Sequence, residues 1–515
     1  MNPVTKISHI TKFGRVDGEL RGHDLTKLMD PPVEQIDNYH WLRDDTRTNQ
    51  AVLAHVDNEN SYTDSILVEY KNLQHQLYEE IKSHTLENYD SYAYKIDSGI
   101  YRYFKRYNSG QEYPTYWQKN TLTNTELLLL DVNLIAQNKT QCDVTSFMIS
   151  PNHTYFAYGV DYDGNEKYNL VIQHILTREN IFTTIPQLVY CPYLWGNSHL
   201  IYYLVGDSTN NLRELWMYDI DTSINTQLYI EQFENYKLDI WLSNDKKYLL
   251  IRSSDYDTNF MQYIDLHNST NKINLFHQSI GVDTKFSIDH RDGFWYIHTN
   301  LNCVNWKIMR TPCDKLSVEF WEDFIPHSDK CIESFDLFDK FIVIEAKLKD
   351  NMLVCVFDYD MQWIKIITHN SNYTINLDEF TTFSHQSNHA YTIELYEKQL
   401  YSTNTICLVY GSLKCPTKLL DYNIDTLMYS TVYENIVPNY DSELYDCIRL
   451  WAPSGDVNVP ISLVYRKDLL NGYNPLYLYG YGSYGITIDP NFNCEILPLL
   501  NRGYVYAIAH IRGGS

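Results

Sequence analysis

No run of apolar residues approaches the ~18 needed to cross a membrane as a helix, and the first residues, MNPVTKISHITKFG, lack the apolar centre of a secretion signal. The ten cysteines are scattered singly and none forms C-x-x-C, so neither a zinc ribbon nor a redox dithiol can be read. No G-x-S-x-G occurs, so the elbow that carries a hydrolase serine is missing from these 515 residues. Positive charge is scarce. The 41 Lys and Arg face 65 Asp and Glu, a net charge of −24, which argues against nucleic acid as a partner. These absences point to a cytoplasmic protein with reduced thiols and no membrane partner. The acidic excess would attract cationic ligands, although solubility alone accounts for it.

Aromatic residues are abundant, at 15%, with 46 tyrosines. Tyrosine favours pleated, half-buried positions and tilts the expectation toward β structure. The length is too great for one core, so several domains are expected. Residues 1–48 read as irregular, with a turn at Asp30-Pro31-Pro32. Residues 49–83 read as an amphipathic helix, because Leu53, Val56, Tyr62, Ile66, Tyr70, Leu73, Leu77 and Ile81 recur at helical spacing.

Short alternating runs follow in pairs: 100–107 with 113–119, 154–161 with 168–175, 200–207 with 214–221, 248–255 with 260–266, 294–300 with 306–312, 341–350 with 352–360, and 390–398 with 405–413. Each pair reads as a hairpin. Tyr155, Ile201, Tyr248, Trp295 and Phe341 open successive pairs about 47 residues apart, and Ala390 is expected to continue the series. That period suits the four-stranded blade of a propeller, so seven blades are expected between about 85 and 425. A β-sandwich would not need so long a period. Beyond 430 come a further hairpin, 443–452 with 459–467, and two nearly continuous apolar runs, LYLY and YVYAIA. Such runs suit a sheet buried on both faces.

Between those runs stands YGYGSYG, residues 479–485. Gly480, Gly482 and Gly485 fit G-x-G-x-x-G. A dinucleotide site needs a helix after the glycines, and ITIDPNFN, with three β-branched residues and Pro490, does not supply one. A nucleophile elbow fails as well, since Tyr481 stands where it needs Gly. No cofactor site is expected. A third possibility is a loop after an early hydrolase strand, whose tyrosine hydroxyl donates to a developing oxyanion.

LVYRKDLLNGYNPLYLYGYGSYG, GYVYAIAHIRGGS, MDPPVEQIDNYHWLRDD (29–45) and HRDGFWYIHTN resemble stretches of the prolyl oligopeptidase family of serine peptidases, over the whole chain. The serine in GYGSYG favours its oligopeptidase B (protease II) branch. The resemblance implies a mainly β architecture: an N-terminal segment over 1–84 packing on the hydrolase, a seven-bladed propeller over 85–425, and an incomplete α/β-hydrolase domain over 426–515. It implies cleavage of short peptides after Arg or Lys, with the propeller limiting substrate size.

Carried over by position, Tyr481 is the oxyanion-hole donor. Asp489 is the first of two acidic residues that bind basic side chains. The second falls on Asn491, which removes one negative charge. The Ser-Asp-His triad would lie beyond the end, so the chain alone is expected to be inactive. His510 reads as a packed strand residue, and Ser515 is given no role. The expected partners are short basic peptides, and the alternative is a non-catalytic propeller module. YVYAIA is expected at an open sheet edge. Asp161, Asp163 and Glu166 of DYDGNE resemble part of a calcium loop, but EF-hand spacing is absent, so a hairpin turn is expected and no metal.

Overall fold

The computed structural model describes residues 5–14, 30–184, 188–268, 270–278, 280–281, 283–348, 351–369, 371–384 and 388–514. Met29, Lys349, Asp350 and Ser515, which belong to runs singled out above, lie outside them. The chain divides into two compact units, Met1–Lys82 and Ser83–Ser515.

In the first unit His9–Phe13 pairs antiparallel with Val33–Asp37. The helix expected over 49–83 forms as Gln50–Leu67 and Lys71–Ser83, joined by a 3-10 turn at Val68–Tyr70. Asn49 caps it by accepting from the Ala51 amide, which satisfies one of the donors a helix start leaves over. Val52 is the buried residue of its first stretch, while Leu53, Val56, Ile66 and Leu73 stand exposed.

The second unit is mainly β. Among the described residues seven antiparallel sheets follow one another over 89–131, 143–189, 193–230, 237–277, 286–325, 331–375 and 391–434. Along each principal path the strands pair in chain order. All seven hairpins read from the alternating runs form. Successive sheets share apolar clusters between their facing sides. Tyr103 and Tyr116 of the first sheet pack with Phe156 and Val171 of the second. Leu215 of the third packs with Leu249 of the fourth, and Ile308 of the fifth with Leu353 of the sixth. No sheet buries both its faces alone, so the repeats stabilise one another. The first and seventh sheets also meet: Tyr92 contacts Tyr396 at 5.5 Å, and the Lys398 ammonium lies 3.6 Å from the Tyr94 ring centre.

Ala390 does not continue the series. In the first six sheets the recognised pair supplies the second and third strands. In the seventh, Tyr391–Leu395 and Thr405–Ser412 are the first and second, so Thr405 is the position in phase. The phase slips because the sixth sheet adds a fifth strand, Asn372–Ile375, and a helix, Leu377–Thr382, closed by an Asn376–Glu379 capping box.

After the seventh sheet comes a four-stranded sheet in the order Tyr445–Ser454, Val457–Arg466, Val505–Ala509, Leu476–Gly480. Its last two strands are parallel, with Leu476 opposite Val505. The crossover between them carries Leu497–Leu500, which packs Leu497 and Leu500 on Tyr445, Val464 and Ile508. The edge strand is therefore LYLYG and not YVYAIA, because Val505–Ala509 is paired on both sides. Tyr477, Leu478 and Tyr479 are exposed along that edge.

Candidate functional site

The strand Leu476–Gly480 delivers the chain into the glycine loop. A methyl group on Gly482 would stand 2.4 Å from the Arg512 carbonyl oxygen, and one on Gly513, at φ +97°, 2.1 Å from that of Gly482. The Gly485 amide donates to the Gly513 carbonyl at 3.0 Å. Glycine is needed where two backbones touch, which explains Gly482 and Gly513. No helix follows the loop; the next helical turn is Cys494–Ile496. The loop therefore matches neither a dinucleotide turn nor an elbow.

Tyr481 lines a small cavity of about 50 Å³. Asp489, His510 and Arg449 share its wall, and Lys347, Met352 and Tyr391 reach it from the sixth and seventh sheets. Burial raises the Asp489 carboxyl above its ordinary value, against the opposing pull of Lys347. The Lys347 ammonium donates to the Thr487 hydroxyl at 3.2 Å and lies 3.8 Å from Glu333. Asn491 is absent from the cavity wall. Its side-chain oxygen accepts from the Thr392 hydroxyl at 2.9 Å.

Behind the wall is a buried polar chain. Arg449 donates to the Ser462 hydroxyl at 3.2 Å, and that hydroxyl lies 2.7 Å from His510 Nε2. Burial lowers the His510 pKa to about 4, and the nearby Arg449 and Lys347 charges push the same way. The ring is thus neutral at pH 7. Since Arg449 can only donate to Ser462, the hydroxyl proton points to Nε2. A serine bonded to a histidine invites comparison with a nucleophile and its base. Ser462 is 0% exposed, so no substrate carbonyl can reach it, and so acidic an imidazole is a poor base at neutral pH. His510 sits one residue beyond the strand and faces the cavity, so it is not the packed strand residue expected.

One other expectation can be placed. Asp161 organises a hairpin turn, its carboxylate accepting from the amides of Asp163, Gly164 and Glu166 at 2.8, 3.1 and 2.9 Å. Among the described residues no His, Cys, Asp and Glu group is arranged to hold a metal ion. No described helix is long and apolar enough to cross a membrane.

Residues 23–433 match the family model described as prolyl oligopeptidase, N-terminal beta-propeller domain. The chain belongs to the prolyl oligopeptidase family. Among its curated relatives are dipeptidyl aminopeptidase BI of Pseudoxanthomonas mexicana, 28% identical over 94% of this chain, and protease 2 of Moraxella lacunata, 25% identical over 93%. The chain spans about two thirds of each, 67% and 68%. Oligopeptidase B from Leishmania major superposes with a TM-score of 0.83 at 26% identity, over 99% of this chain and 71% of that one. Residues 23–433 thus carry the propeller domain of a peptidase family, and its relatives are serine oligopeptidases.

The structure brings together Tyr481 and Asp489, two of the three site residues read from sequence. It adds Lys347, Arg449 and His510, which that reading did not assign to the site. Arg449 carried a visible signal. It stands in phase with Tyr445 and Cys447 on the buried side of its strand, where an arginine needs a reason.

Proposed function

We propose that this chain is the peptide-binding part of a serine oligopeptidase. In this reading the seven sheets are the blades of a ring, and the C-terminal sheet is the start of an α/β-hydrolase sheet. The observation that carries it is the one cavity lined by Tyr481 and Asp489 together with propeller residues Lys347, Met352 and Tyr391. The Tyr481 hydroxyl would donate to the oxyanion that forms when a peptide carbonyl is attacked, a contact of ~3 kcal/mol in comparable sites. Asp489 would read an Arg or Lys side chain, a role that a neutral Asn491 turned onto Thr392 does not share. The ring would admit short peptides and exclude folded proteins. The unpaired cysteines suit a reducing, cytoplasmic setting.

Nucleophile, acid and base are not assigned to any of these 515 residues, so amide cleavage is not expected from them alone. The purified protein should bind an arginine-containing tripeptide saturably, and Asp489→Asn should weaken that binding roughly tenfold, about 1.4 kcal/mol. A fluorophosphonate probe should leave the protein unlabelled. Labelling, or turnover of an arginyl ester, would overturn the inactive state; indifference of binding to Asp489→Asn would overturn the subsite. A second reading, a non-catalytic peptide-binding propeller, is favoured by the missing G-x-S-x-G. A companion polypeptide or continued reading frame that carries such an elbow decides for the peptidase.

A further inference from the structure

A second cavity lies next to the one beneath Tyr481, and at about 510 Å³ it is much larger. That volume is in the range of small-ligand sites. Arg252, Lys285 and Glu333 supply charge to its wall; Phe286, His298 and Trp306 supply rings. One strand pair separates the two cavities. Cys331 and Glu333 line the large one, Lys347 lines the small one, and Cys331 stands directly opposite Lys347 in the register. Cross-strand neighbours are ~5 Å apart, and an extended peptide advances ~3.3 Å per residue. The two walls thus approach within ~5 Å at this strand pair, a separation that two residues of extended peptide cover.

The charges are not equally engaged. Glu333 lies 3.8 Å from Lys347. Asp255, also on the wall, closes its own turn: one carboxylate oxygen accepts from the Asp257 amide and from the Thr258 amide and hydroxyl. Arg252 donates to Asp239 at 2.6 Å. Lys285 forms no ion pair with any described carboxylate, and its ammonium lies 5.5 Å from the centre of the Tyr256 ring. Among the described charged residues of this wall Lys285 is thus the cation with no carboxylate in contact, and Asp255 acts on it only through space. Beside it the half-buried Trp306 ring stacks at 4.5 Å on the buried His298 ring.

We propose that this cavity binds a carboxylate of the short peptide held beneath Tyr481, with Lys285 as the principal partner, Arg252 as the second, and the Trp306 ring, backed by His298, under the adjoining side chain. The proposal rests on the peptide-binding reading above. The carboxylate is the peptide's own C-terminus or an acidic side chain near it. A fixed cation at a set distance from the reacting amide would favour peptides of matching length.

Fluorescence anisotropy with a labelled hexapeptide carrying arginine at its third position tests this in the 515-residue protein. The free acid should bind about tenfold more tightly than the C-terminal amide. Lys285→Gln should abolish that preference, and Lys285→Arg should keep it. An amidated peptide ending in Glu assigns the source: recovered affinity points to side chains, no recovery to the chain terminus, and both carry the proposal. Equal affinity of acid and amide for the unaltered protein would overturn it, as would an undiminished preference in Lys285→Gln. Loss of all peptide binding, arginine tripeptide included, would bring down the underlying reading instead.

Discussion

Acid should loosen the propeller through one histidine. His298 is 7% exposed, and its Nε2 lies 3.0 Å from the Ile332 carbonyl oxygen. A carbonyl only accepts, so the neutral ring carries its proton on Nε2. Burial lowers its pKa from 6.5 to about 4. At pH 8 the ring is neutral in the folded and the unfolded chain. Between pH 6.5 and about 4 the unfolded chain takes a proton that the folded chain refuses, so stability falls as pH falls through that window. The shift amounts to about 3 kcal/mol in full, of which about 2 kcal/mol is lost by pH 5. His298→Gln keeps a donor for the Ile332 carbonyl and cannot titrate. Urea unfolding at pH 8 and pH 5 should show the unaltered protein losing about 2 kcal/mol more than the variant. Parallel losses in the two proteins would refute the assignment of this proton to His298.

Leu353→Ala removes a fully buried side chain from the cluster shared by the fifth and sixth sheets, and should cost about 3 kcal/mol in urea unfolding. Gly482→Ala would drive a methyl group to 2.4 Å from the Arg512 carbonyl oxygen. It should displace Tyr481 and abolish binding of the arginine tripeptide while the circular dichroism of the propeller stays unchanged. Retained binding would show that the loop position does not matter.

The hairpins were legible in the sequence because each strand alternates and each turn is polar. The runs at 248–255 and 260–266, for example, form two strands in continuous register. The phase of the seventh sheet was not legible. The extra strand Asn372–Ile375 and the helix after it lengthen one repeat, and an apolar run alone does not say which strand of a sheet it is. The identity of the edge strand was hidden for a similar reason. LYLY and YVYAIA are equally apolar, and only the pairing of Val505–Ala509 with Val457–Arg466 decides which lies inside. Tyr481 and Asp489 could be found because a dense local motif surrounds them. Lys347 could not, since it comes from a strand some 130 residues earlier, and only the fold brings it to Thr487. Asn491 shows the limit of position alone: two residues from Asp489, it turns to Thr392 and leaves the cavity.

The central claim is that short peptides bind where Tyr481 meets the propeller. Photo-crosslinking locates that contact directly. An arginine tripeptide bearing a benzophenone, irradiated with the 515-residue protein and mapped by mass spectrometry, should attach within residues 481–490 or at Lys347 or Met352. Attachment confined to the outer strands of the sheets, with none at the Tyr481 cavity, would contradict the account.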